Sequence, residues 1–361
     1  MRKNAIFAPA VALFGMVAAY SSAQAGLISY SFTDVYPPGT QPGTIVGNVN
    51  YGMNNFGQVV GAYEDNTNSD HGYIYTRGKY VTFDVPGSAG TSLNGINDLG
   101  EIVGYYSNRG GQTAKTFIYY HGKITNIADS GSFSPQAVND KGQILGFSPV
   151  TFTGNPAVYS NGVFSPLPSI PGAALTKYSD LNNLGQFVGY YFDSAGTHGF
   201  VERNGVFTTI NDPAAGAAGF TNAFGINDWG QIVGNYCDST GACHGFLDTN
   251  GHFTDIDNPN AVPGSTVPEL VNDVEQVFGY YEDSAGNWPS FLATPRLDLF
   301  ALSAADPVSD AVPEASTWAM LLLGFGGLSL VGFRRRRGRA IVPILYQGEL
   351  PAKEIAALKS L

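Results

Sequence analysis

The chain has 361 residues, of which only 13% are charged, against roughly a quarter in an average soluble protein. Aromatic residues also make up 13%, and this density of Tyr and Phe excludes a disordered chain because it can bury a core. The net charge of −11 excludes a basic nucleic-acid surface, and two cysteines are too few for a disulfide framework or a four-cysteine zinc site.

Residues 1–25 predict a secretory signal peptide. Arg2 and Lys3 form a positive start, an apolar stretch follows, and Ala23 and Ala25 frame a cleavage site of the small-x-small type. The alternative is an N-terminal membrane helix, but the apolar stretch is shorter than the roughly 20 residues needed to span a bilayer. We therefore expect export by the Sec machinery.

Residues 26–293 contain one pattern six times: Asn-(Asp/Asn)-x-Gly-(Gln/Glu)-h-h-Gly, in which h is apolar. The copies begin at Asn54, Asn97, Asn139, Asn182, Asn227 and Asn272. In the last copy Glu275 replaces the first glycine. Successive copies lie 42 to 45 residues apart, a period typical of β-propeller blades.

Each period carries signals for four short strands separated by tight turns. In the fourth copy, for example, the turn Asp193–Gly196 precedes one strand and the pair Asn204-Gly205 precedes the next. A short Gly-Ile-Asn strand, such as Gly225–Asn227, closes the unit. This composition predicts an all-β fold, a six-bladed β-propeller built from repeats of about 43 residues. An open β-solenoid or a sandwich is the alternative.

The ends of the repeat region predict that the ring closes. The last copy lacks two strands, and the N-terminal part supplies two in excess, Ser31–Val35 and Tyr51–Asn54. If both complete the last blade, no sheet edge stays exposed.

The repeat resembles the HAF family of extracellular repeats, in which Asn-Asp-x-Gly-x-h-h-Gly and His-Gly-Phe recur. The second word stands at His71-Gly72-Tyr73, His198-Gly199-Phe200 and His244-Gly245-Phe246. The resemblance implies an exported repeat protein and brings no established chemistry.

The Asn-Asp pairs have two interpretations. Asx side chains bond to nearby backbone amides, so the pair predicts a tight reversal before a glycine of positive φ. Alternatively, the second residues form a ring of carboxylates at the propeller axis. That ring would contain Asp98, Asp140, Asp228 and Asp273, interrupted by Asn55 and Asn183.

The sequence predicts no catalytic residue and no cofactor. The three repeated histidines favour a packing or turn role, and none has the ligand spacing of a zinc site. Calcium in the loops Asp65–Asp70 and Asp193–Gly196 is the alternative, although both lack a terminal bidentate Glu. Cys237 and Cys243 flank the turn Asp238–Gly241, and in an oxidising compartment this predicts a disulfide; two free thiols are the alternative.

A linker, residues 294–311, leads to a three-part signal at residues 312–337. The parts are the motif Val312, Pro313 and Glu314, an apolar run that reaches Phe333, and the cluster Arg334, Arg335, Arg336 and Arg337. The run from Ser316 to Phe333 is just long enough for a transmembrane helix, with Trp318 at the outer interface and the arginines in the cytoplasm.

These parts resemble the PEP-CTERM sorting signal of Gram-negative bacteria. The resemblance implies recognition by an exosortase, an integral-membrane cysteine transpeptidase or protease, and a link to exopolysaccharide and biofilm matrix. Two features depart from the family: Ala315 replaces its usual second proline, and residues 338–361 extend beyond the arginines. This extension is either read-through or an added cytoplasmic extension.

The expected function follows from both resemblances. We expect a non-enzymatic exported protein, anchored in the inner membrane until it is processed and then delivered to the cell surface, outer membrane or extracellular matrix. Extracellular polysaccharide is a candidate partner. The alternative is a glycan-binding or glycan-degrading propeller enzyme, but an active site normally breaks the symmetry of near-identical repeats. The acidic body disfavours contact with anionic membranes.

Overall fold

The computed structural model describes residues 28–37, 52–65, 67–108, 114–127, 133–147, 155–216 and 219–297. These residues form six four-stranded antiparallel sheets, which confirms the predicted all-β, six-bladed propeller and excludes the solenoid and the sandwich. Within these ranges no helix is long and apolar enough to cross a membrane. The predicted signal peptide and transmembrane helix lie outside them.

The first three blades follow one another along the chain. Blade 1 contains β2 (Gly52–Met53), β3 (Gln58–Glu64), β4 (Asp70–Thr76) and β5 (Lys79–Phe83). Blade 2 contains β6 (Ser88–Ile96), β7 (Ile102–Asn108), β8 (Ala114–Tyr120) and β9 (Lys123–Asn126). Blade 3 contains β10 (Ser134–Val138), β11 (Ile144–Phe147), β12 (Pro156–Ser160) and β13 (Val163–Pro166).

The last three blades continue the series and return to the N-terminus. Blade 4 contains β14 (Leu175–Leu181), β15 (Gln186–Asp193), β16 (Gly196–Arg203) and β17 (Val206–Ile210). Blade 5 contains β18 (Thr221–Ile226), β19 (Ile232–Cys237), β20 (Cys243–Thr249) and β21 (His252–Asp255). Blade 6 contains β22 (Val267–Val271), β23 (Val277–Tyr280), β24 (Ser290–Leu297) and, as its outer strand, β1 (Ile28–Val35).

The ring closes through one N-terminal strand rather than two. Only β1 joins blade 6, where the Tyr281 hydroxyl donates a hydrogen bond to Asp34 Oδ1 at 3.1 Å. The short strand β2 pairs with β3 in blade 1, with Met53 opposite Val59. The expectation that this strand would end a blade was wrong, because the motif turn is a hairpin and therefore pairs the two strands that flank it.

Both glycines of the motif are needed for local reasons, the first for its backbone conformation and the second for lack of space. Gly230, the first glycine of the fifth copy, has a φ of +77°, as the reversal requires. The second, Gly234, lies beside a β-bulge in the innermost strand, and a Cβ atom there would overlap the carbonyl oxygen of Asn222. In the degenerate copy Glu275 adopts the left-handed conformation, with a φ of +59°.

The core is divided into hydrophobic clusters that each lie between two neighbouring blades. Val60, Leu93 and Phe117 belong to the cluster between blades 1 and 2. Val35 and Phe278 belong to the one that joins blade 6 to blade 1. Because each sheet buries both of its faces against neighbours, no blade is a separate folding unit.

Strand direction gives the propeller two different ends. We call turn face the end that carries the six motif turns and, in blades 1 to 5, the hairpins between the third and fourth strands. We call loop face the opposite end, where the second strand connects to the third and one blade passes to the next.

Candidate functional site

The first asparagines of the six motifs form a closed ring of hydrogen bonds around the axis. In the fifth copy the buried Asn227 side chain accepts the backbone N–H groups of Trp229 and Gln231 through Oδ1. Its Nδ2 donates to Gln231 Oε1 at 2.7 Å and to the carbonyl oxygen of Asn272, in the next blade, at 3.0 Å. The other five copies repeat the link to the next blade, and Asn272 closes the ring onto the Asn54 carbonyl at 3.2 Å.

The second residues of the motifs form another closed ring. Each backbone N–H donates to the side-chain oxygen of the corresponding residue in the next blade, over 2.6 to 2.9 Å. The chain order around this ring is Asn55, Asp98, Asp140, Asn183, Asp228 and Asp273. Asn55 and Asn183 lie at opposite positions, and each amide donates to the carboxylates on both of its sides. Both interpretations of the Asn-Asp pair therefore describe part of the arrangement.

These rings surround an axial cavity of about 90 Å³, room for several water molecules. Burial raises the pKa of Asp140 and of Asp273, although hydrogen bonds from backbone amides oppose the shift. Among the described residues no group of three or more His, Cys, Asp or Glu side chains is arranged to hold a metal ion. The carboxylate oxygens of the ring already bind protein donors, so their main role is to join the blades.

Two carboxyl groups break the repeat symmetry near the axis. Asp180 stands two residues before its motif, where other copies have small or apolar residues, and accepts the N–H groups of Leu181 and Ile226. Burial raises its pKa to about 7. Part of its surface faces the axial cavity, so the group is enclosed without being covered on every side. Sequence reasoning missed Asp180; its deviation from the other copies was the available signal.

The second group, Glu269, lies on the bulge of the innermost strand of blade 6. Burial raises its pKa to about 8, and the charge of Lys177 opposes the shift. Lys177 Nζ lies 5.6 Å from the centre of the Tyr190 ring, which in turn packs edge-on against Phe224 at 6.1 Å. Burial, Glu269 and Tyr190 raise the pKa of Tyr280 to about 12. Blades 4 to 6 thus carry an asymmetric polar and aromatic cluster, defined as Lys177, Tyr190, Phe224, Glu269 and Tyr280.

The repeated histidines occupy equivalent positions on the loop face of blades 1, 4 and 5. Each ring is tilted against a tyrosine, with centroids 5.1 to 5.4 Å apart. His71 Nδ1 lies 2.9 Å from Asp84 Oδ2, and its Nε2 lies 3.2 Å from Asp65 Oδ2. Burial lowers the pKa of His71, but the hydrogen bonds to both carboxylates raise it by more. These contacts tie loops together, in keeping with the packing role.

The candidate calcium loop of blade 1 uses its oxygens internally. Asp65 Oδ1 accepts the backbone N–H groups of Thr67 and Ser69 and the Thr67 hydroxyl, and these bonds lower the pKa of Asp65. In blade 5, Asp238 lies between the two cysteines and likewise accepts backbone N–H groups, those of Thr240 and Ala242. Cys237 and Cys243 lie opposite each other in the ladder, with Cα atoms 3.9 Å apart, and the structure joins them as a disulfide.

Comparison with known proteins adds a match at the C-terminus. Residues 311–337 match the PEP-CTERM protein-sorting motif. The matched range includes Val312, Pro313, Glu314, Trp318 and all four arginines of the cluster, which lie outside the described residues, as do Ala23 and Ala25. No curated protein matches the chain.

Several solved structures are similar to the propeller. AofleA from Arthrobotrys oligospora is 12% identical over 74% of this chain and 86% of that chain, with a TM-score of 0.47. A fungal lectin from Aleuria aurantia, itself a six-bladed β-propeller, is 10% identical over 70% of this chain and 93% of that chain, with a TM-score of 0.41. Virginiamycin B lyase from Staphylococcus aureus is 12% identical over 73% and 88%, with a TM-score of 0.40. At these scores the likeness carries no inference about binding or catalysis.

The C-terminal match is therefore the informative comparison. It covers the motif, the apolar run and the arginine cluster in one continuous range. The chain carries a PEP-CTERM protein-sorting motif, the mark of an exported protein that is targeted by an exosortase.

Proposed function

We propose that the chain is a non-enzymatic exported propeller, delivered by exosortase processing to the surface or extracellular matrix of a Gram-negative cell. The sorting motif at residues 311–337 is the observation that carries this proposal. The resemblance of the repeats to the HAF family supports it, because that family also consists of extracellular repeat proteins. Exopolysaccharide or a biofilm matrix is then the setting in which the propeller acts.

The axial rings support a non-enzymatic role. A general base must have a free lone pair that faces its substrate. The axial aspartates instead accept backbone N–H groups of the neighbouring blade, and the same bonds occur in every blade. The repeated aspartates at the axis, the first candidates for a catalytic site, are thus engaged in the hydrogen bonds that close the ring.

Sorting can be tested in the native host with the substitution Glu314→Ala. We expect the variant to stay in the inner-membrane fraction with its C-terminal segment intact, because the exosortase no longer recognises the motif. Asp310→Ala, just outside the matched range, is the matched control and should be processed normally. Unchanged processing and surface location of the Glu314→Ala protein would refute the proposal.

The second candidate function is glycan binding or degradation by the asymmetric cluster in blades 4 to 6. Aromatic faces beside a carboxyl and an ammonium group suit a sugar ring, and this set occurs in only part of the propeller. Glycan-array binding that Tyr190→Ala abolishes would favour it. Release of reducing sugar that Glu269→Gln or Asp140→Asn abolishes would overturn the non-enzymatic proposal.

A further inference from the structure

Exposed charges are divided between the two faces of the propeller. Among the described residues, the exposed acidic side chains all lie toward the loop face: Asp34, Glu64, Asp70, Asp84, Asp255 and Asp257. The exposed basic side chains of the turn face are Arg77, Lys79, Lys123, Lys141, Arg203 and Arg296. At the loop face, Lys115 is the one exposed basic side chain in the part of the chain that the structure describes. The net charge of −11 for the whole chain does not show this separation of acidic and basic side chains between the two faces.

The acidic groups of the turn face are mostly withdrawn from its rim. Glu202 and Asp248 are buried and accept the N–H groups of Gly205 and Gly251 in the outer hairpins. The axial aspartates bind the amides of the ring. An approaching surface therefore meets basic side chains at the rim of this face, whereas the loop face presents carboxylates.

An apolar ring surrounds the axial mouth on the same face. The third residue of the motif is large, apolar and more than half exposed in five copies: Phe56 (65%), Leu99 (55%), Leu184 (53%), Trp229 (59%) and Val274 (51%). In the remaining copy, that of blade 3, the third residue is Lys141. Single exposed apolar residues are ordinary, but a ring of five at equivalent positions indicates a contact surface.

The chain also leaves the propeller at this face. The last strand, β24, is the third of its blade and runs toward the turn face, where it ends at Leu297. Residues 298–310 then separate it from the matched sorting motif. A segment of this length spans at most about 45 Å when fully extended. As long as the tail is in the membrane, the turn face is the side on which the propeller is tethered.

We propose that the turn face rests on the bilayer surface until the tail is cleaved, with the apolar ring in the interface and the basic rim on anionic headgroups. This inference depends on the membrane anchoring in the proposed function. Trp229 has the amphipathic ring that favours the interface, and lysine and arginine near anionic lipids add attraction. The anionic headgroups repel the carboxylates of the loop face, so the propeller turns its turn face toward the bilayer. The net negative charge of the propeller disfavours contact with an anionic membrane. The turn face can nevertheless make this contact, because its exposed charges are basic.

A surface of this kind is weak without a tether. Stable membrane association generally needs two signals, such as a lipid-inserted anchor together with a basic patch. The apolar ring and the basic rim therefore hold the propeller against the bilayer only while the tail is attached. Cleavage removes the first signal and releases the protein.

The test uses the full chain, reconstituted through its tail into vesicles of phosphatidylcholine and phosphatidylglycerol with brominated acyl chains. Two single-tryptophan proteins are compared: one keeps Trp229, and the other keeps Trp288, which lies in a loop-face connection of blade 6. The remaining tryptophans are replaced by phenylalanine. We expect Trp229 to lose most of its fluorescence to bromine quenching and Trp288 to keep its own.

The basic rim is tested in the same assay. Replacing Arg77, Lys79 and Lys123 together by glutamine should restore much of the Trp229 emission, whereas Lys115→Gln, on the loop face, should leave it quenched. Protein that floats with the vesicles but shows equal quenching of both tryptophans, or none, would overturn the contact and leave the proposed function standing. Protein that fails to float would refute the anchoring itself, and the contact with it.

Discussion

Replacing Asn227 by alanine should destabilise the whole propeller, although the residue lies in a single turn of one blade. The substitution removes two bonds accepted by Oδ1 and two donated by Nδ2, including the 3.0 Å link to the Asn272 carbonyl. At about 1 kcal/mol net for each bond, the loss is about 4 kcal/mol. For a protein of this size that lowers the melting temperature by roughly 8 °C.

Equilibrium unfolding in guanidinium chloride, followed by tryptophan fluorescence, measures this loss. Asn260→Ala is the matched control, because that side chain is exposed in a connecting loop of the opposite face and should change stability by less than about 0.5 kcal/mol. The denaturant slope should be the same in both variants. A loss for Asn227→Ala that equals the control would refute the idea that the ring of asparagine bonds holds the blades together.

Four further predictions concern single features of the fold. Gly234→Ala should cost on the order of 3 kcal/mol in the same unfolding assay, since its Cβ would overlap the Asn222 carbonyl; Gly251→Ala, in open space, should be affected only by its positive φ. Replacing Cys237 and Cys243 by serine should cost about 2 kcal/mol, the chain-entropy value for so short a loop, and an unchanged stability would contradict the bond. The raised pKa of Glu269 contributes stability below about pH 4 that is lost as the pH rises through about 8, so Glu269→Gln should flatten the stability curve in this window. Asp84→Asn should lower the pKa of His71 in an NMR titration, while that of His244, in blade 5, should not move.

Blade number and the count of four strands per blade could be predicted because each copy carries its own turn signals. The Asn-Gly pairs and the motif reversal act over a few residues, and their repetition at a fixed spacing leaves little choice of architecture. Ring closure was predicted in kind but not in detail. A strand of two residues such as Gly52–Met53 has too little sequence to reveal its partner, and only the hairpin hydrogen bonds assign it to blade 1.

The bonds between blades were not predictable from local patterns. Asn54 reaches the carbonyl of Asn97, and Asn55 reaches Asp98, both 43 residues away, across an interface that exists only after the ring has formed. The buried carboxyl groups were missed for another reason. Asp180 and Glu269 do not belong to any sequence motif with a known function. Their pKa values are raised by burial, which depends on the residues packed around them.

Mass spectrometry of the C-terminal peptide of the surface-located protein tests the proposed function most directly. If an exosortase processes the chain, protein recovered from the cell surface ends within the matched range and lacks Arg334 to Arg337. Surface protein that retains the apolar run and the arginines, or a chain found only intact in the inner membrane, would contradict the proposal.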